Sequence, residues 1–366
     1  MVVIAPSRRI RRTPFTPGVE AAGVKGYTVY NHMLLPTVFD SVVADYHHLK
    51  NAVQVWDVAC ERQIELRGPD AARLMQMLTP RDLRGMLPGQ CYYVPIVDET
   101  GGMLNDPVAL KLSEDRWWIS IADSDLLFWV KGLAYGYRLD VLVDEPDISP
   151  LAVQGPQAEE LVARVFGDAT RAVRFFRFGW FDFQGVSMAV ARSGYSKQGG
   201  FEIYVDGAEN GMPLWNAFLE AGKDLDVRAG CPNLIERIEG GLLSYGNDMT
   251  RENTPHECGL GRFCSTQTAI GCVGRDALLR VAKEGPTQQI RAIEIAGEIP
   301  PCDRAWPMLA GGKRVGQVTS AAKSPDFGVN VAIGMVRMTH WDAGATLQVD
   351  TPDGMREAVV HENFWL

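Results

Sequence analysis

Between Met188 and Val205 the apolar residues alternate on both sides of a bend: Met188 and Val190 precede the segment RSGYSKQGG, and Phe201, Ile203 and Val205 follow it. Residues spaced by two share one face of a strand, so two such runs joined by a glycine-rich turn form an antiparallel ribbon with one buried face. The same period sends Glu202 and Tyr204 to the opposite face, roughly 7 Å apart along the strand. A carboxylate there can accept two parallel N–H bonds from a planar donor, and the neighbouring phenol ring can pack on that donor's plane. The plainer alternative is a solvated glutamate beside an ordinary cross-strand tyrosine. Gly194, Gly199 and Gly200 weigh against it, because glycines this dense suit close approach of the backbone by a ligand as well as a turn.

The rest of the chain mixes strands and helices without regular alternation. A strand over 63–67 leads through Gly68, Pro69 and Asp70 into a helix over 71–78 closed by Thr79 and Pro80. Strands over 91–97, 107–112 and 117–122 follow, separated by turns such as Gly101 and Gly102. Asp144 to Pro150, with two prolines, marks a crossing between domains, and Leu151 to Val165 then runs from strand to helix. A helix opening at Pro213 carries Leu214, Trp215, Phe218 and Leu219 as its core stripe. Asn233 with Glu236 forms the capping box of another, with Leu234, Ile238 and Leu242 as its buried line and its end at Tyr245. Strands over 289–295, 314–319, 329–335 and 346–349 predict a small antiparallel barrel of about eighty residues at the C-terminal end. This mixture predicts an α+β fold.

With 366 residues, 46% of them hydrophobic, the chain can bury more than one core. Its net charge of -9 argues against a sequence-independent grip on nucleic acid or on an anionic membrane, and so for a small-molecule partner. Arg8, Arg9, Arg11 and Arg12 lead into Thr13, Pro14 and Phe15 rather than an apolar core, as an exposed arm would and a secretory signal would not. No apolar stretch is long enough to cross a bilayer. The seven cysteines contain no C-x-x-C pair and the six histidines no metal-ligand spacing, so neither zinc nor a disulfide framework is signalled, and reduced thiols in a cytoplasm fit best. Neither G-x-G-x-x-G nor the phosphate-binding G-x-x-x-x-G-K-[ST] occurs, which removes the usual sequence support for nicotinamide, flavin and nucleoside triphosphate chemistry. A G-x-S-x-G elbow and an H-E-x-x-H helix are missing too.

Three further features could carry chemistry. GGMLNDPVAL places Asn105 and Asp106 at the entry to a strand, although an aspartate before a proline is also ordinary turn chemistry. In IERIEGGLLSYGNDM, Arg237 lies over Gly240 and Gly241. Glycine inside a helix costs about 1 kcal/mol relative to alanine, so a ligand or a closely packed helix must need the space. The aromatic residues Tyr27, Tyr30, Tyr92, Tyr93, Trp117, Trp118, Phe175, Phe176, Trp180 and Tyr195 are mostly core candidates, with a few able to cage a cation.

VWDVA (Val55 to Ala59), LTPRDL, GGMLND, LAVQGP, the pair Phe175 and Phe176, RSGYSKQGGFEIYV, RIEGGLLSYGNDM, TPHECGLGRF, VGRDAL and VGQVTSAAKSP occur in that order. Together they resemble the motifs of the aminomethyltransferase (glycine-cleavage T-protein) family of folate enzymes, from Tyr27 almost to the C-terminus. Within it the chain is most similar to the branch that demethylates dimethylsulfoniopropionate, through Ser7 to Phe39, CYYVPIVDETGGMLNDPV, WWISIADSD and SKQGGFEIYV. Glycine-cleavage members read G-Y-T-G-E where Gly194, Tyr195, Ser196, Lys197 and Gln198 stand here, whereas the demethylating branch has Trp at the place of Tyr195.

The resemblance implies a three-domain fold around a central folate channel: residues 1–56 with 146–250, residues 57–145 with 251–283, and a small β-barrel over 284–366. It implies transfer of a methyl group from dimethylsulfoniopropionate to N5 of tetrahydrofolate, giving 3-(methylthio)propionate and 5-methyltetrahydrofolate. The alternatives are aminomethyl transfer by a T-protein, or demethylation of another small methylated acid or amine. Carried over by motif, Glu202 binds the aminopyrimidine end of the folate, and Tyr93, Phe176, Tyr204 and Arg237 line or orient the pterin. Asp106 matches the acidic residue near the reacting nitrogen, and Asp106 and Tyr204 are the catalytic candidates. Tyr30, Ser120, Trp180, Tyr195 and Lys197 are the candidates for contact with the methyl donor. The expected co-substrate is tetrahydrofolate, with no metal, flavin or nicotinamide. The expected partners are the donor and folate, with neither nucleic acid nor membrane, a homodimer as the candidate assembly, and a cytoplasmic setting.

Overall fold

The computed structural model describes residues 7–265 and 270–366. Its mixed helices and sheets divide into two compact units. The first comprises Met1–Ala71, Leu87–Tyr92 and Val108–Asn233, and the second Ala72–Met86, Tyr93–Pro107 and Leu234–Leu366.

In the first unit a six-stranded sheet has the order Phe178–Phe183, Val186–Ala191, Gly200–Asp206, Ile148–Gln154, Val53–Asp57, Val227–Gly230. Neighbours are antiparallel except the last pair, which is parallel. The ribbon read from the alternation is the Val186–Ala191 and Gly200–Asp206 pair. Its Met188, Val190, Phe201, Ile203 and Val205 join one core with Val53, Val55, Leu151 and Val153. The Ala158–Phe166 and Gly211–Ala221 helices cover that face with Leu161, Val162, Leu214, Trp215 and Phe218. The second of these starts two residues before Pro213, which is tolerated because backbone N–H groups in a first turn have no intrahelical partner.

The other face of this sheet is not left to solvent. A five-stranded sheet, in the order Leu142–Asp144, Gln63–Arg67, Arg116–Ser120, Val108–Ser113, Gln90–Tyr93, packs on it: Cys91, Leu110 and Trp118 meet Phe178, Ala189, Ala191 and Tyr204. The chain passes from this sheet to the six-stranded one between Leu142–Asp144 and Ile148–Gln154, so the proline-bearing stretch read as a crossing between domains joins two sheets of one compact unit. The strand expected over 91–97 is split. Gln90–Tyr93 stays in the five-stranded sheet while Ile96–Val97 pairs with Met103–Asn105, because Pro95 between them has no N–H to donate to a ladder.

In the second unit six strands close into a barrel, in the order Gln288–Ile295, Asn330–Arg337, Lys313–Lys323, Trp306–Ala310, Thr346–Thr351, Gly354–His361, with the last paired back on the first. Ile293, Trp306, Met308, Val318, Val336, Val349 and Val360 fill its core. The helix expected from Asn233 to Tyr245 covers only Leu234–Glu239. Leu234 is 43% exposed and Leu242 lies beyond the helix, so Ile235 joins the expected Ile238 on its buried side. Gly240 and Gly241 lie beyond the helix. Gly241 has φ +63°, and a β-carbon on it would stand 2.4 Å from the Phe364 ring. The space that Gly241 leaves is thus taken by the Phe364 ring, and its left-handed backbone forms a stop just past the helix. Among the described residues no helix is long and apolar enough to cross a membrane.

Candidate active site

The packing of one sheet on the other fixes the environment of Glu202. With the five-stranded sheet over it, its residue is only 6% exposed, which excludes the solvated alternative. Burial raises its pKa, and the hydroxyl of Ser193, which donates a short hydrogen bond to Oε2, opposes that rise. One neutral donor leaves much of a carboxylate's accepting capacity open. Tyr204, two residues on, is 1% exposed. Burial first and the Glu202 charge second push its phenol well above the usual range. Ser120 stands near enough to oppose that shift, but the phenol makes no hydrogen bond of ordinary geometry. Ser120 itself is buried at the end of its strand and bonded by Gln63 Nε2 at 2.8 Å.

An aromatic chain extends from this point. Trp118 lies 5.9 Å from Tyr204 and 6.0 Å from Trp180, ring centre to ring centre, and Trp180 lies 6.1 Å from Phe178. Trp118 is held from behind by Glu65, which accepts from its indole nitrogen at 3.1 Å and from Arg116 Nε at 2.7 Å. Trp180, 47% exposed, opens this chain to solvent. Phe176 packs against the same cluster in a left-handed conformation, φ +56°. Its backbone is fixed on both sides, its N–H donating to Arg192 O and its carbonyl accepting from Cys91 N, each at 3.0 Å.

The bend before Glu202 is ordered from beneath by Gln154, which is fully buried. A β-carbon on Gly194 would lie 2.0 Å from its side-chain nitrogen, and one on Gly200 would lie 2.2 Å from Val153 O. The close approach inferred from the glycines is therefore real, but at two of the three it is made by Gln154 and its strand rather than by a ligand. Tyr195 is half-buried and Lys197 exposed on this bend. Tyr30 ends the Gly26–Tyr30 strand of a separate hairpin, half-buried and paired in register with Met33.

In the second unit Asp106 Oδ2 accepts from the Tyr93 hydroxyl at 2.7 Å, while Oδ1 is buried without a hydrogen-bond partner. Burial pushes its carboxyl up to about 7, against the pull of Tyr93, and the Asp248 charge adds to the rise. The Tyr93 ring packs edge-on against Phe263 at 5.5 Å. Arg237 donates to Asp248 Oδ2 at 2.8 Å, to Ser320 Oγ at 2.7 Å and to Leu242 O at 3.3 Å. Asp248 also accepts from Thr319 and Ser320 hydroxyls at 2.7 and 2.6 Å, so this network ties the Leu234–Glu239 helix to the barrel. A polar cleft of about 370 Å³ near Asn247, Gln288, Arg314 and Arg337 includes none of the predicted site residues.

Sequence reasoning singles out neither Ser193, Gln154 nor Glu65. Ser193 lies inside the quoted bend and Gln154 inside LAVQGP, but nothing in their spacing announces a partner.

Two family models match the chain: the GCVT N-terminal domain over residues 16–268, and the glycine cleavage T-protein C-terminal barrel domain over residues 288–365. The chain is 65% identical over 365 residues, 100% of each chain, to dimethylsulfoniopropionate demethylase DmdA of Ruegeria pomeroyi. It is 29% identical over 327 residues, 86% of each chain, to an aminomethyltransferase of Symbiobacterium thermophilum. The crystal structure of the glycine cleavage system aminomethyltransferase T from Bartonella henselae shares the fold, with a TM-score of 0.87 over 98% of each chain at 23% identity.

Proposed function

The chain belongs to the glycine-cleavage T-protein family, and from that premise we propose that it is a tetrahydrofolate-dependent demethylase, moving a methyl group from dimethylsulfoniopropionate to N5 of tetrahydrofolate and releasing 3-(methylthio)propionate. The observation that carries this reading is the full-length likeness to the Ruegeria demethylase. The buried carboxylate of Glu202, which accepts from Ser193, supports the folate half, because an aminopyrimidine offers paired N–H groups that a carboxylate can accept together.

Tetrahydrofolate, when bound, supplies the nitrogen that accepts the methyl group. Glu202 holds its aminopyrimidine end, and Ser193 keeps the carboxylate aimed. Tyr204, whose phenol stays protonated at neutral pH, acts as a hydrogen-bond donor and a packing face rather than as a base. The family motifs assign Phe176, Tyr93 and Arg237 to lining or orienting the pterin, and Arg237 is held by its network with Asp248 and Ser320.

A sulfonium donor leaves as a neutral thioether, so no acid is needed for departure. The work of the chain is alignment, which supplies roughly 7 to 11 kcal/mol in favourable cases. Trp180, with Tyr195, offers π faces to the positive sulfur without a strong anion that would pair with it, each face contributing about 0.5 to 2 kcal/mol. Lys197 meets the donor's carboxylate, and Ser120 and Tyr30 complete the donor contacts. The bond to sulfur breaks with its electron pair kept on sulfur. The nitrogen sheds a proton on methylation, and Asp106, raised to about 7 with Oδ1 unpartnered, is the group suited to take it.

Mass spectrometry after mixing the protein and tetrahydrofolate with dimethylsulfoniopropionate, dimethylglycine, glycine betaine or sarcosine tests the proposal. The expected result is 5-methyltetrahydrofolate with 3-(methylthio)propionate from the first donor alone. Methylenetetrahydrofolate and ammonia from an aminomethyl-loaded lipoyl carrier protein would overturn it in favour of T-protein chemistry.

A further inference from the structure

Gln154 closes the Ile148–Gln154 strand with its side chain fully buried beneath the bend that precedes Glu202. Its Nε2 donates to Ser193 O at 3.2 Å and to Phe201 O at 3.4 Å, and its Oε1 accepts from Ser196 Oγ at 2.8 Å. A side-chain amide has two donors and one acceptor oxygen, so both N–H groups are spent on the backbone of the bend's two ends and the oxygen on its middle. The backbone is shaped to receive it. Gly194 and Gly200 take φ of +152° and +154°, and a β-carbon on either would lie within 2.6 Å of the amide nitrogen.

The two sides of this amide lead to different places. Ser193 has its carbonyl on Gln154 and its hydroxyl on Glu202. Ser196 has its hydroxyl on Gln154 and sits between Tyr195 and Lys197. We propose that Gln154 is a positioning residue that locks the donor-facing bend and the folate-facing carboxylate into one geometry, so that a side chain behind the site sets the affinity for both substrates. The substrate half of this inference rests on the proposed function; the ordering of the bend does not.

The test compares Ser196→Ala, Ser193→Ala and Gln154→Met. Ser196→Ala is expected to raise KM for dimethylsulfoniopropionate about tenfold, the worth of one hydrogen bond, with tetrahydrofolate affinity unchanged. Ser193→Ala is expected to do the reverse. Gln154→Met is expected to raise both and to speed hydrogen exchange of the backbone amides over 193–200 by about tenfold, leaving those of the barrel unchanged. If the Met variant does not fold, the two serine variants still decide, since each removes a single oxygen. A purely structural amide would lower Tm in all three and split neither KM; that result, or exchange over the bend equal to the parent's in Gln154→Met, overturns the proposal. Should the parent protein turn over no sulfonium, the functional reading fails, and the exchange measurement still judges Gln154 by itself.

Discussion

The Tyr93 hydroxyl donates to Asp106 Oδ2 at 2.7 Å, and the other oxygen of that carboxylate is buried with no partner. An acid in this position resists ionising, which is why it stands at about 7 rather than at its ordinary 3.8. The folded chain therefore binds this proton more tightly than the unfolded chain does. Stability from this group is fully present below 3.8 and is lost as pH rises through about 7. Asp106→Asn, which carries no charge, should raise Tm relative to the parent at pH 8 by about 2 °C or more, and by less at pH 5. Calorimetry showing no gain at pH 8 would mean the carboxyl is better solvated than its surroundings indicate.

In the proposed mechanism the same bond sets the pH dependence of turnover. If ionised Asp106 takes the proton from nitrogen, kcat climbs with pH through about 7. Tyr93→Phe removes the group that pulls the carboxyl downward, so its rising limb should move to higher pH. A limb that stays in place, measured as kcat against pH in saturating substrate, would separate Asp106 from the titrating step.

If alignment does most of the work, the residues proposed to hold the folate should matter more than the one proposed to take the proton. Glu202→Ala and Tyr204→Ala are each expected to lower kcat/KM by about ten- to a hundredfold, the range for losing charged hydrogen bonds or a packed ring. Asp106→Asn should lower kcat by less than either. Steady-state kinetics placing Asp106→Asn as the most damaging of the three would reverse this order.

How much of this is legible in the sequence depends on whether one chain segment contains the cause. The ribbon of Met188 to Val205 is legible because period-two burial is written in its own alternation, and most of the barrel is legible for the same reason. The Trp306–Ala310 and Gly354–His361 strands escape, since Pro307 interrupts one and the charges of Arg356 and Glu357 blur the other. The face on which Glu202 lies is legible, but its burial is not, because a second sheet supplies it. Gln154 is invisible for a related reason: its three partners all lie 39 or more residues away in sequence. The glycines of the bend truthfully report a close approach and say nothing of what approaches.

The proposed donor contacts offer a gain-of-function test. A larger, more electron-rich ring holds a cation better, so Tyr195→Trp should lower KM for dimethylsulfoniopropionate by up to about threefold, and Trp180→Leu should raise it by about three- to thirtyfold. Neither should alter binding of the neutral thioether product to the same degree. Equal changes for sulfonium and thioether, by isothermal titration, would show that the rings supply only apolar contact.

Gly241 gives a prediction about stability alone. Its φ of +63° and the Phe364 ring 2.4 Å from any β-carbon leave no room for alanine. Gly241→Ala should destabilise the second unit by on the order of 1 to 3 kcal/mol, from backbone strain and overpacking together. Adding Phe364→Ala should recover only the overpacking share. A double variant fully as stable as Phe364→Ala would show that the left-handed backbone costs nothing, and denaturant titration distinguishes the two.

Trp118 stands within about 6 Å of both Tyr204 and Trp180, one ring against the proposed folate residue and the other half open to water. At such separations the excited states of the rings couple, and light absorbed by the phenol passes to the indoles. Any ligand that shifts Tyr204 or covers Trp180 must therefore alter the near-ultraviolet dichroism and the emission colour of the protein. The molecule carries its own gauge of occupancy, readable without a dye, a label or a turnover event.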